Sequence, residues 1–155
     1  MDINSINLEN RLSIIEASAG TGKSFTLAHL VLRNIFENKI NPENILLLSF
    51  TKNTCNELRF KINERIDKVE KYILNNEGDK IDKTLFNWYN TVKQNSINYE
   101  ELINNIGNIK ADINKVTITT FHGLCKKIID DFSIELSTKL GFKVNNSIDE
   151  LYKNI

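Results

Sequence analysis

Apolar positions along the chain change their spacing several times, and each change marks an element. Residues 12 to 16, LSIIE, read as a short strand running into a glycine-rich loop. From about Lys23 to Asn38 the spacing is helical. Leu27, Ala28, Leu30, Val31, Leu32, Ile35 and Phe36 leave this helix apolar nearly all round, which predicts that it is buried. Residues 41 to 44, NPEN, predict a turn, and 45 to 50, ILLLSF, form a continuous apolar run of strand length. Such a run suits a parallel strand covered on both faces. Thr54 and Glu57 have capping-box spacing and predict the start of the next helix. Its stripe is Leu58, Ile62, Ile66, Val69 and Ile73, and NNEGDK, 75 to 80, ends it.

The middle of the chain, roughly 81 to 113, predicts two helical pieces. Leu85, Trp88, Tyr89 and Val92 stripe the first; Leu102, Ile103, Ile106 and Ile113 stripe the second. Both read as plain core-facing stripes. Residues 116 to 120, VTITT, are rich in β-branched side chains and predict another strand. A last helix carries Phe121, Leu124, Cys125, Ile128, Ile129, Phe132 and Leu136 at helical spacing. Strand, helix, strand, helices, strand, helix implies an α/β fold with a parallel sheet and right-handed crossovers.

Composition narrows the class. A chain of 155 residues, 41% hydrophobic and 26% charged, is an ordinary globular chain of about one domain with a core of its own. Twenty basic side chains balance 20 acidic ones, against a protein that coats nucleic acid with its whole surface. No apolar run approaches the roughly 18 residues of a membrane span. The start, MDINSINLENRL, lacks the basic and apolar regions of a secretory signal. Two cysteines, Cys55 and Cys125, fit a reduced, cytoplasmic protein better than a disulfide scaffold.

The candidate chemistry lies in the loop after LSIIE. Ala17, Ser18, Ala19, Gly20, Thr21, Gly22, Lys23 and Ser24 match the phosphate-loop pattern G-x-x-x-x-G-K-[ST], save that Ala17 stands where the first glycine is usual. A small residue suffices there unless φ is positive. A strand before the loop and a helix after it are the context the pattern requires. Gly20 and Gly22 let backbone amides approach phosphate oxygens at the N-terminus of the helix that follows, and the candidate nucleotide-binding residues run from Ala17 through Phe25. Lys23 would reach the β- and γ-phosphates and Ser24 would hold Mg²⁺, so the expected cofactors are ATP and Mg²⁺. The alternative is a chance glycine-rich turn before a buried helix.

Three blocks taken together, IEASAGTGKSFTLAHL, NILLLSFTKNTCNELRFKINERI and VTITTFHGLCKKIIDDF, resemble consecutive motifs of superfamily 1 DNA helicases of the UvrD/Rep type. Within that family they are nearest the RecB-like branch, the exonuclease V beta subunits. The family's loop reads A-x-x-G-x-G-K-[ST], with alanine in the place of Ala17. The second block matches a strand ending T-F-T and a helix with E-[LM]-x-x-[RK]-I, here Ser49-Phe50-Thr51 and Glu57-Leu58 through Ile62. The third matches T-x-H-[GS]-x-C, here Thr120 to Cys125.

The resemblance implies a P-loop, RecA-like parallel sheet with a helical insertion, and DNA as partner, in single- or double-stranded form, together with other exonuclease V subunits. It implies that Phe50 stacks on a base, with Thr51, Thr120 and His122 on the DNA backbone. An aromatic face serves any base, as a motor needs. The alternative for Phe50 is a core aromatic. Lys52, Lys126 and Lys127 are candidate local positive charges. The expected organisation is the N-terminal part of a first motor domain over 1–155: loop and second block over 1–75, helical insertion over 76–115, third block and the start of an inserted subdomain over 116–155.

Departures qualify this. No glutamine precedes the loop, Gln94 being the only one, so the adenine contact of many relatives has no counterpart. The family's acidic motif, an apolar strand ending Asp-Glu, is not found: Asp149-Glu150 follows VNNSI, and Asp130-Asp131 reads as the solvated face of the last helix. The expectation is nucleotide binding without enzymatic turnover by this stretch alone. Two other readings stand beside it, a non-helicase P-loop NTPase and a nucleotide-binding module without catalysis. His122 and Cys125, three apart, are too few for a structural zinc, and Cys125 reads as a buried thiol. His29 reads as a core or boundary residue.

Overall fold

The computed structural model describes residues 2–16, 20, 22–75 and 82–132. The chain divides into two compact units, Met1–Thr120 and Phe121–Ile155. In the first, α1 (Lys23–Phe36) and α2 (Lys52–Asn75) pack along one another. Their meeting faces are the stripes legible in the sequence: Ala28, Val31, Leu32 and Ile35 from α1, with Leu58, Ile62, Ile66 and Val69 from α2. Each fully buried aliphatic side chain of this kind contributes about 1.5–3 kcal/mol over its exposed state. Leu27, on the far side of α1, stays partly exposed, so that helix is buried along one broad face and not all round.

The helices α3 (Lys83–Gln94) and α4 (Ser96–Asp112) close the core with Leu85, Trp88, Tyr89 and Val92, and with Leu102 and Ile106. Ile103 turns outward and Ile109 packs in its stead, because the buried face of α4 follows 102, 106 and 109. Tyr72, Tyr89 and Tyr99 meet edge to face, with centroids 4.5 and 5.9 Å apart. The Tyr89 hydroxyl donates to Tyr99 at 2.9 Å. Burial pushes the Tyr89 phenol well above its ordinary range, with Tyr99 next in effect.

Two strands, β1 (Leu46–Ser49) and β2 (Thr117–Thr120), pair in parallel, with Leu46 opposite Thr117 and Ser49 opposite Thr120. The crossover between them carries α2, α3 and α4, as a parallel pair requires. The expectation that β1 is covered on both faces fails: Leu46 is exposed and Leu47 to Ser49 are half-buried. The strand expected at 12–16 also fails. The segment is irregular, with Leu12 77% and Ile14 85% exposed. A strand exists only through a neighbour's ladder, and among the described residues β1 and β2 pair with each other alone. The turn at 41–44 is present as a short 3₁₀ segment, Pro42–Asn44.

The segment before the loop is fastened by α1. Arg33 is buried and donates to the carbonyls of Ile3 and Ile6 at 2.9 and 3.0 Å. Its other nitrogens hold Glu37 in a bidentate pair, at 2.7 and 2.8 Å. The Trp88 indole N–H donates to the same carboxylate at 2.8 Å, which ties α3 to the C-terminal end of α1.

The second unit is described through α5 (Phe121–Asp131). Its apolar stripe is not buried: Phe121, Ile128 and Phe132 are exposed, and so is the Cys125 thiol, against the expected buried one. A stripe is buried only by a facing element, and the described residues of this unit supply none; Leu136 lies outside them. Asp130 is half-buried, with one carboxylate oxygen unpartnered among the described residues, so only Asp131 sits on a solvated face as expected. No helix among the described residues is long and apolar enough to cross a membrane.

Candidate functional site

Of the loop, Gly20 and Gly22 are described; Ala17, Ser18, Ala19 and Thr21 lie outside the described residues. Both glycines hold positive φ, +78° and +84°, a left-handed conformation that costs an L-residue roughly 1–2 kcal/mol. Gly22 is the N-cap of α1, and its carbonyl accepts from Thr26 N–H at 2.8 Å. No side chain caps the helix and no acidic residue stands in its first turn. The leading amides of Lys23, Ser24 and Phe25 have no acceptor within the helix by its geometry. Amides aimed outward and the positive end of the helix dipole favour an anion there. Lys23 is exposed and adds a full positive charge, while Ser24 is half-buried beside it with a hydroxyl able to ligate a cation. The donor set fits a polyphosphate with its metal.

Behind this helix head lies a buried polar cluster that the pattern of residues did not reveal. Arg65 of α2 is 3% exposed, and its guanidinium lies 4.1 Å over the Phe25 ring. It pairs with Asp82 through Nη1 at 3.2 Å, and Asp82 in turn accepts from Leu85 N–H at 3.0 Å as the N-cap of α3. Its Nη2 lies 2.9 Å from His29 Nδ1. Arginine only donates, so His29 accepts at Nδ1 and carries its proton on Nε2. That proton is given to Asn4 Oδ1 at 2.7 Å, and Asn4 Nδ2 donates to the Thr84 carbonyl at 3.0 Å. Burial, then the neighbouring Arg65 and Arg33 charges, push the His29 pKa down to about 3. Sequence carried one signal for this: Arg65 stands among Leu58, Ile62, Ile66 and Val69 on the buried face, where an arginine needs partners.

The expected DNA contacts fall in both units. The register of β1 on β2 puts Ser49 opposite Thr120, so Phe50 and Thr51 leave the sheet at the end where Thr120 completes β2. Phe50 is 88% exposed and is no core aromatic. The Thr51 hydroxyl accepts from Thr54 N–H at 3.2 Å and lies 2.8 Å from the Thr54 hydroxyl. Thr51 therefore caps α2, not Thr54: the helix opens at Lys52, which puts Thr54 and Glu57 inside it. Lys52 is exposed. In the second unit His122, Lys126 and Lys127 are exposed on α5. No group of three or more His, Cys, Asp or Glu able to hold a metal occurs among the described residues.

The sequence profile of the UvrD/REP helicase N-terminal domain matches residues 3–154. The chain is 34% identical over 134 residues to the RecBCD enzyme subunit RecB of Haemophilus influenzae, which covers 80% of this chain and 11% of that protein. It is 33% identical over 116 residues to RecB of Chlamydia trachomatis, and 31% over 113 residues to that of Chlamydia muridarum, each match covering 72% of this chain and 11% of the relative. The chain thus spans about a tenth of the length of these relatives. A match to the family profile over nearly its whole length shows that the chain belongs to the UvrD/REP helicase N-terminal domain family.

Proposed function

We propose that the chain is the nucleotide-binding start of the first motor domain of a RecB-like DNA helicase, with a P-loop, RecA-like sheet of which β1 and β2 are part. One observation carries this reading. Two glycines at positive φ lead straight into an uncapped helix whose first turn holds Lys23 and Ser24. In this reading the loop from Ala17 to Gly22, with Phe25 just behind it, surrounds the phosphates of ATP. Lys23 neutralises the β- and γ-phosphates and Ser24 ligates Mg²⁺. ATP supplies the free energy of a phosphoryl transfer to water. The residues of this stretch bind and orient it, and turnover falls to groups outside the three blocks.

The DNA track in this reading begins at the end of the sheet. Phe50 offers an exposed ring for stacking, and Thr51 and Thr120 offer hydroxyls to backbone phosphates. Thr51 accepts from Thr54 N–H and shares a further hydrogen bond with the Thr54 hydroxyl, in which either oxygen can donate. His122, exposed on α5, offers its imidazole to DNA as well. The partners are single- or double-stranded DNA and the other subunits of an exonuclease V type enzyme, in repair of DNA ends. Family membership disfavours the non-helicase NTPase.

Calorimetry with Mg-ATP on the chain and on Lys23→Ala tests the reading. The variant loses a charge-assisted contact worth roughly 1.5–3 kcal/mol, so affinity falls about 10- to 150-fold with an unchanged melting temperature. Equal affinities would remove Lys23 from the site.

A further inference from the structure

The buried cluster behind the loop joins three things at one guanidinium. Phe25, two residues after Lys23, lies under Arg65; His29, one turn further along α1, accepts from it; and Asp82, the N-cap of α3, is ion-paired to it. A displacement of the first two turns of α1 is therefore a displacement of the Arg65 plane, and Arg65 cannot move without pulling on the α3 cap. Arg65 Nε is buried and has no hydrogen-bond partner among the described residues. The His29 contact gives the linkage a sense of direction. With Nδ1 fixed as acceptor and Nε2–H as donor, one unbranched chain of hydrogen bonds runs from Arg65 through His29 and Asn4 to the Thr84 carbonyl, beside the same α3 N-terminus. Arg65 thus reaches the start of α3 by two routes, the direct ion pair and the imidazole–amide chain.

Resting on the nucleotide reading of the loop, we propose that Arg65 is a positioning residue of that site. Acting through Phe25 and His29, it sets the first turn of α1 for phosphate binding and passes occupancy of the loop to α3 at its Asp82 cap. Lys23 and Ser24 touch the ligand; Arg65 holds the helix that carries them. The helical insertion is then the part of this unit that senses the nucleotide.

Amide hydrogen exchange on the 155-residue chain tests this, with and without the magnesium complex of a non-hydrolysable ATP analogue, and binding followed separately by calorimetry. Addition of the analogue slows exchange in the first turn of α3, at Leu85 and Phe86, by about fivefold or more, the lower end of usual coupling between sites. Two variants cut the joint. Arg65→Met keeps the stem and removes the fork. Asp82→Ser keeps an N-cap oxygen for Leu85 but is too short to pair with Arg65, so it serves if Arg65→Met fails to fold. In folded Arg65→Met the analogue binds more weakly and α3 no longer responds; in Asp82→Ser, which leaves the imidazole–amide route in place, the response at α3 is reduced. A wild type that binds the analogue with no change at α3, or an Asp82→Ser chain that keeps the full response, overturns the coupling and leaves the nucleotide site standing. A wild type that does not bind the analogue overturns both.

Discussion

The head of α1 and its later turns are built on opposite terms. At the head, Gly22 to Ser24 present a cation, a hydroxyl and outward amides, with no side-chain cap. Two turns later, His29 and Arg33 are buried, and the groups around them are matched donor to acceptor: Arg65 to His29, His29 to Asn4, Arg33 to Ile3, Ile6 and Glu37. The same helix thus has one stretch whose polar side chains are matched by the chain and a head without a side-chain cap among the described residues. A structural helix of this size would cap its N-terminus, because a cap is worth about 1 kcal/mol and takes a single serine or aspartate. An open head with lysine in its first turn, against the helix dipole, is less stable than a capped one, which suits the proposed phosphate ligand. The proposal thus separates residues that hold the fold from those offered to a partner.

The contrast is sharpest in stability. Trp88→Ala should cost about 3–5 kcal/mol, because it empties a core position and strips Glu37 of a buried donor. Urea unfolding of the 155-residue chain measures it. Lys23→Ala, in the same experiment, should stay within about 0.5 kcal/mol while its nucleotide affinity falls. If Lys23→Ala destabilised the chain as much as Trp88→Ala, the head of α1 would be a structural element and the contrast would collapse.

Which parts were legible in the sequence follows from what kind of information each needs. The helices were, because helical period and burial are the same fact: Leu58, Ile62, Ile66 and Val69 repeat at the spacing of one face and are buried on one face. β1 and β2 were, because short β-branched or leucine-rich runs have few other uses. The loop was legible as a motif because its residues are chosen singly, for positive φ and for charge. The strand at 12–16 was misread because apolar residues show that a segment wants a neighbour and do not supply one. The stripe of α5 shows the same limit, since Phe121 and Ile128 repeat as a core face does and stand exposed. The α2 cap was displaced by one turn because Thr51 and Thr54 are both plausible caps, and only the hydrogen bond from Thr54 N–H to Thr51 decides between them. Of the Arg65 cluster only Arg65 itself, a charge on the buried face of α2, left a trace in the sequence; its partners come from 4, 29 and 82, and no pattern joins positions so far apart.

The clamped end of α1 has a signature in pH. The His29 pKa is depressed to about 3 in the folded chain, against about 6.5 for an unfolded histidine. Between those values the unfolded chain binds a proton that the folded chain refuses, so stability rises with pH. The contribution is complete above about pH 6.5 and is lost as pH falls toward 3, at about 1.4 kcal/mol per unit well inside the window. The clean comparison is therefore urea unfolding between pH 6.5 and 5, wild type against His29→Gln. Wild type should lose stability over that interval, and the variant should be less stable at neutral pH and nearly flat. Equal slopes would mean that His29 is not held neutral and that the Arg65 contact is weaker than its geometry.

Thr51 and Phe50 bring the comparison down to adjacent residues. Thr51 belongs to the fold through its hydrogen bond from Thr54 N–H, so Thr51→Ala should cost about 1 kcal/mol as a lost N-cap. Phe50, one residue earlier and 88% exposed, should cost less than about 0.5 kcal/mol when truncated to alanine. Measured side by side by urea unfolding, the cap should be the larger loss. The order reverses for single-stranded DNA in a protein that carries the whole track: there Phe50→Ala should lose about 1–3 kcal/mol of stacking, with the salt dependence of binding unchanged because the ring is neutral. A Phe50→Ala chain that unfolds more readily than Thr51→Ala would place that ring in the core after all. A salt slope made shallower by Phe50→Ala would show the change disturbing phosphate contacts instead of a stack.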